Sequence, residues 1–125
     1  MLVNYLSIMD EDIKVIKSRQ FAKRIVKLYQ FLKGKEIDEI RKQVLRSGTS
    51  IGANIAESVF SESKIDFKHK LSIALKEANE TQYWLEVLFF GDYLSKNLYE
   101  SLRKDCAELI LILSSITKTI KDAGS

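Results

Sequence analysis

Apolar side chains recur along this chain at the three- and four-residue spacing of helices, in four blocks separated by short polar breaks. Phe21, Ala22, Ile25, Leu28, Tyr29 and Leu32 form the first block, which predicts a helix from about Arg19 to Lys33, with room for an earlier turn around Asp12 to Lys17. Ser18 is placed to cap its start, and Gly34 to end it in a left-handed conformation. The second block, about Glu36 to Phe60, carries Ile37, Ile40, Val44, Ile51, Ile55 and Val59 on one stripe. Gly48, Gly52 and Ala56 lie at steps of four on the next stripe. A glycine inside a helix costs about 1 kcal/mol relative to alanine, so two of them one turn apart point to another helix backbone close by.

Ser63 and Asp66 open the third helix in the manner of a capping box. It reaches Phe90 through Phe67, Leu71, Ala74, Leu75, Ala78, Leu85 and Leu88. Gly91 and Asp92 break it, and Ser95 or Asn97 caps the fourth helix. There Leu98, Leu102, Cys106, Leu109, Leu113, Ile116 and Ile120 make a near-heptad seam. Short connections make successive helices antiparallel neighbours. The expected fold class is all-α: an up-down antiparallel four-helix bundle, oligomeric, with one domain over residues 1–125. An N-terminal extension at 1–12 and a polar tail at 122–125 flank it.

The oligomer is expected because the last two helices carry more apolar surface than one bundle core needs. Tyr83, Trp84, Val87, Phe89 and Phe90 extend around the third helix, and Ile110 to Leu113 is apolar on every side of the fourth. A helix that is hydrophobic all round is buried all round, and a second copy of the same chain is the commonest cover. Trp84, Phe89, Phe90, Leu111 and Ile112 are therefore the candidate oligomer interface.

Composition agrees with helices: no proline and only five glycines in 125 residues leave few turn formers for sheets. The single cysteine excludes an internal disulfide, and Cys106 reads as a small core hydrophobe. No apolar run reaches the roughly 18 residues of a membrane span, and the first dozen residues lack a signal-peptide pattern. A cytoplasmic location is the expectation. Net charge is only +3, but residues 14–46 hold eleven Lys and Arg against Glu36, Asp38 and Glu39. Arg19, Lys23 and Lys27 fall on one line opposite the apolar face of the first helix, with Gln20, Arg24 and Gln30 beside it. Such a line is ordinarily just a solvated face. Here the local charge is one-signed, and self-assembly would multiply it, which suits a phosphate backbone. With no base-reading motif, any binding should depend weakly on sequence.

Catalytic and cofactor chemistry find little support. His69 is the only histidine, so Asp66 and His69 supply at most half of a di-iron site, and no metal or other cofactor is expected. Ser47 to Gly52 lacks both the dinucleotide glycine pattern and the phosphate-loop lysine. No Ser/His/Asp or Cys/His arrangement can be assembled with any specificity, so the chain is not expected to be an enzyme.

Two stretches carry a family resemblance. One is Gln43-Val44-Leu45-Arg46-Ser47-Gly48-Thr49-Ser50-Ile51-Gly52-Ala53-Asn54-Ile55-Ala56-Glu57. The other is Ser63-Lys64-Ile65-Asp66-Phe67 followed by Lys76-Glu77-Ala78-Asn79-Glu80-Thr81-Gln82-Tyr83-Trp84-Leu85-Glu86. Both resemble the 23S ribosomal RNA intervening-sequence proteins, over about Phe21 to Ile120. The resemblance implies a bacterial up-down four-helix bundle, usually a homopentamer with a central channel, and no catalytic residues. Some such proteins are encoded within insertions in 23S rRNA genes. A related bundle, the accessory protein of diversity-generating retroelements, is a basic pentamer that binds nucleic acid and a reverse transcriptase. The motif polar residues Arg46, Asn54, Glu57, Glu77, Asn79 and Glu80 are expected to form a buried network that sets helix register or subunit contacts. The expected function is a non-enzymatic oligomer that binds RNA or other nucleic acid through Arg19, Lys23, Arg24 and Lys27. The alternative is a protein-interaction scaffold.

Overall fold

The first helix starts earlier than its expected cap. In this computed structural model, which describes residues 12–124 and side chains as far as Ile120, α1 spans Ile13–Phe31. Its cap is Asp12, whose carboxylate accepts from the Lys14 backbone N–H at 3.0 Å. Ser18 is not a cap. It lies buried inside α1, where its hydroxyl donates to the Val15 carbonyl at 3.1 Å. Reading it as a cap broke a stripe that runs without interruption through Val15, Ser18, Phe21, Ile25, Leu28 and Leu32. Ala22 and Tyr29 stand at its edge, half-buried. The rest of the expected N-terminal extension, residues 1–11, lies outside the described residues.

The other helices follow the pattern closely. They are α2 (Asp38–Ser58), α3 (Lys64–Phe90) and α4 (Lys96–Gly124). Ser63 Oγ accepts from the Asp66 N–H at 3.0 Å, and Ser95, not Asn97, caps α4 by accepting from Leu98 N–H at 3.2 Å. Gly34 has φ +80°, and nothing crowds its α-carbon, so the position demands a conformation and not space. At the end of α3 the left-handed residue is Asp92, with φ 67°, while Gly91 is ordinary at φ −81°. Asp92 N–H donates to Phe89 O and Tyr93 N–H to Leu88 O, the paired bonds of a Schellman ending. The backbone of α4 continues through Gly124, so most of the expected polar tail is helical.

Each helix packs on its neighbours in sequence, and α1 also meets α4, which closes the bundle. One cluster fills the centre, including Phe21, Ile25, Val44, Ile51, Leu71, Leu85, Leu109 and Leu113. Cys106 belongs to it: its Sγ lies 3.2 Å from the Ala78 carbonyl, and burial pushes its pKa up to about 12, with Asp105 adding to the shift. The thiol is neutral filling and not a nucleophile.

The glycine stripe of α2 faces α1. A Cβ on Gly48 would come within 2.8 Å of the Ile25 Cγ1 and Cγ2 atoms, which sit one bond from Cβ and not at the far end of a flexible side chain. At Gly52 the nearest atom would be the Ser18 carbonyl oxygen at 3.4 Å, an ordinary contact. Gly48→Ala is therefore expected to destabilise the chain by about 1–3 kcal/mol through overpacking. Gly52→Ala is expected to be neutral or to stabilise by up to about 1 kcal/mol through helix propensity. Urea unfolding of both variants checks this, and equal effects would remove the close approach at Gly48 as the tighter constraint.

Candidate functional site

Arg19, Lys23 and Lys27 are exposed on the side of α1 away from Phe21, Ile25 and Leu28. Four residues advance a helix by about 6 Å, so the three cations form a line one turn apart. Arg24 stands beside it and is differently placed. Its guanidinium is held at 2.7 Å by Asp105 of α4, and Lys17 pairs with Glu108 one turn further along. These two ion pairs bridge α1 and α4, so part of the positive charge of residues 14–46 is spent inside the chain. Lys14 pairs with Asp12, Arg41 with Asp38, and Arg46 with Glu77 and Glu80.

The motif residues do not form one buried network. Arg46 of α2 binds Glu77 at 3.0 Å and Glu80, both on α3, and its Nε donates to Gln43 at 3.1 Å. Trp84 Nε1 donates to the same Glu80 at 3.0 Å. Burial alone would lower the Arg46 pKa, but the hydrogen bond to Glu80 and the charge of Glu77 outweigh it and hold it above its ordinary value. The cluster is nevertheless superficial: the Arg46 side chain is 48% exposed. Such pairs contribute about 0–1 kcal/mol, so this one is better suited to fixing orientation than to supplying stability. Glu57 instead pairs with Lys70 at 2.9 Å, and that hydrogen bond raises the Lys70 pKa. Asn54 and Asn79 each donate to a carbonyl one turn back in their own helix, those of Ser50 and Leu75.

The buried polar contacts lie elsewhere. Ser47 of α2 and Thr81 of α3 are completely buried, with their hydroxyl oxygens 2.8 Å apart, and Thr81 Oγ1 also donates to the Glu77 carbonyl at 2.8 Å. Arg41 is 9% exposed. Its Nε donates to the Tyr29 carbonyl at 2.7 Å, and its guanidinium lies 3.6 Å from the centre of the Tyr29 ring. That bond satisfies a carbonyl in the last turn of α1, where intrahelical partners run out. The sequence pattern gives none of the three a core role. The signal for Ser47 and Thr81 was a gap in an apolar stripe filled by a small hydroxyl residue.

Of the candidate interface residues, Phe90 and Leu111 expose 76% and 68% of their surface in the single chain. Ile112, Trp84 and Phe89 are half-buried, and Phe89 stacks on Tyr99 with ring centres 4.3 Å apart. Among the described residues, no three His, Cys, Asp or Glu gather to hold a metal ion, and no helix is long and apolar enough to cross a membrane.

These features define a four-helix bundle whose candidate side chains stand on outer helix faces. The chain belongs to the 23S rRNA-intervening sequence protein family, whose sequence profile matches residues 11–115. It is similar to a crystal structure from Bacteroides thetaiotaomicron, a protein of unknown function from the S23 ribosomal protein family. The two are 52% identical, with 85% of this chain and 99% of that chain covered and a TM-score of 0.82. No curated protein matches.

The Ser47–Thr81 pair gives a direct test of how α2 and α3 are held. Thr81→Val strands the Ser47 hydroxyl and is expected to cost about 1–3 kcal/mol, whereas adding Ser47→Ala recovers part of that loss. A double-mutant cycle by urea unfolding measures the coupling, and strictly additive losses would show that the two hydroxyls act independently.

Proposed function

We propose that this protein is a non-enzymatic, self-assembling up-down bundle that binds RNA or other nucleic acid through the outer face of α1. The antiparallel order is supported by contacts that run in reverse along paired helices: Ile25 meets Gly48 while Ser18 meets Gly52, and Arg46 meets Glu80 while Glu57 meets Lys70. Self-assembly, with a cytoplasmic homopentamer as the expected form, is supported by the exposed Phe90 and Leu111. The observation that carries the binding reading is the line of Arg19, Lys23 and Lys27, exposed one turn apart. Arg19 is also engaged within the chain, so Lys23 and Lys27 are the cleaner probes. Arg24, already neutralised by Asp105, serves at the edge. The second reading, a protein-interaction scaffold, draws on the apolar side chains Phe60 and Ile65, which expose 67% and 82%.

Fluorescence anisotropy with a structured RNA tests the charge line. Affinity is expected to fall about tenfold or more between 50 and 200 mM salt, because phosphate binding releases counterions. Lys23→Glu with Lys27→Glu should abolish binding while the melting temperature holds, since exposed substitutions usually change stability little. Unchanged binding by the double variant would hand the function to the scaffold reading. For assembly, Leu111→Glu is expected to lower the mass seen by light scattering without loss of helical circular dichroism. A native mass would take Leu111 out of the interface.

A further inference from the structure

The line of cations on α1 ends at Lys27. One more turn along stands Phe31, with 55% of its surface exposed. A lone exposed phenylalanine is unremarkable in itself; the surroundings of this one set it apart. Beside it, between α1 and α4, opens a groove of about 330 Å³ lined by Arg24, Lys27, Leu28, Phe31, Leu98 and Leu102. Its floor is apolar, and its rim carries Lys27 and an Arg24 whose charge is balanced by Asp105. Arg24 is fixed in place there by Asp105 at 2.7 Å, and Lys35 brings a further cation to within 5.2 Å of the centre of the Phe31 ring. Lys27 has no ion-pair partner among the described residues.

An aromatic ring at the end of a line of positive charge, next to an open groove with an apolar floor, is complementary to one kind of nucleic acid. We infer that the groove between α1 and α4 takes an unstacked base of a single strand against Phe31, while Lys27 and Lys23 follow the backbone phosphates. This rests on the nucleic-acid reading and narrows it to single-stranded segments: loops, bulges or ends. A duplex keeps its bases stacked inside, so it can use the cations but not the ring. Every base has an apolar face, so the groove accepts any of the four, in keeping with the lack of base-reading groups.

The test is anisotropy with a mixed-sequence single-stranded RNA and with the same RNA annealed to its complement. The wild type is expected to favour the single strand. Phe31→Ala should weaken single-strand binding by about 5- to 100-fold, the range for loss of one stacking contact, with duplex binding and the salt slope unchanged. Phe31→Trp should retain single-strand binding, and circular dichroism should confirm that both variants are folded. Equal affinity of the wild type for single strand and duplex, or single-strand binding by Phe31→Ala at the wild-type level, would overturn the inference. So would an equal weakening of both ligands. In those cases salt-dependent binding through Lys23 and Lys27 would still stand. An absence of binding to either RNA at low salt would sink the nucleic-acid reading and the base-binding groove together.

Discussion

Ile25 lying across Gly48 is the contact on which the arrangement of the first two helices depends. Any Cβ at position 48 would press to 2.8 Å against the branched carbons of Ile25, so α1 sits this close to α2 only because that side chain is missing. The contact sets the rotation of α1. Residues three and four apart share a helix face, so once Phe21, Ile25 and Leu28 point inward, Arg19, Lys23, Lys27 and Phe31 must point outward. The same register brings Arg41, near the start of α2, to the Tyr29 carbonyl near the end of α1. Core packing and outer surface are thus two consequences of one close approach.

Charge is organised by a second constraint. The block 14–46 is strongly basic as a string of letters, but in the bundle part of that charge meets acids brought from far along the chain. Asp105 and Glu108 of α4 take Arg24 and Lys17, and Glu77 and Glu80 of α3 take Arg46. The bridges to α4 fall where α1 and α4 meet, and the groove beside Phe31 opens along the same seam. What remains on the outside includes Lys23 and Lys27 along α1, with Phe31 one turn beyond, and also Lys33, Lys35 and Lys42.

The four helices, their main breaks and most of the core were legible because apolar periodicity is a local signal repeated over many residues. Leu71, Ala74, Ala78, Leu85 and Leu88 were found this way, as were Leu102, Cys106, Leu109 and Leu113. The misses share one cause. Ser18, Ser47, Thr81 and Arg41 are polar residues in core positions. Polarity argues for the surface until a partner is known, and each partner lies beyond the residue's own side chain: the Val15 carbonyl for Ser18, Thr81 for Ser47, and the Tyr29 carbonyl for Arg41. The motif residues failed in the opposite sense. Arg46, Glu77 and Glu80 were expected to be buried together. They do meet, but on the outside, while Asn54, Asn79 and Glu57 make separate local or lateral bonds.

The amino-acid sequence by itself determined that there are four helices, which stripe of each is apolar, and to which family the chain belongs. These are properties of spacing along one strand of residues. Only the tertiary structure decided which charges are spent on ion pairs, which hydroxyls are buried as a pair, and which aromatic stands beside a groove. Those outcomes depend on what faces a residue across the gap to another helix. That gap is set by side-chain volumes on both sides, and no periodicity within a single helix records it.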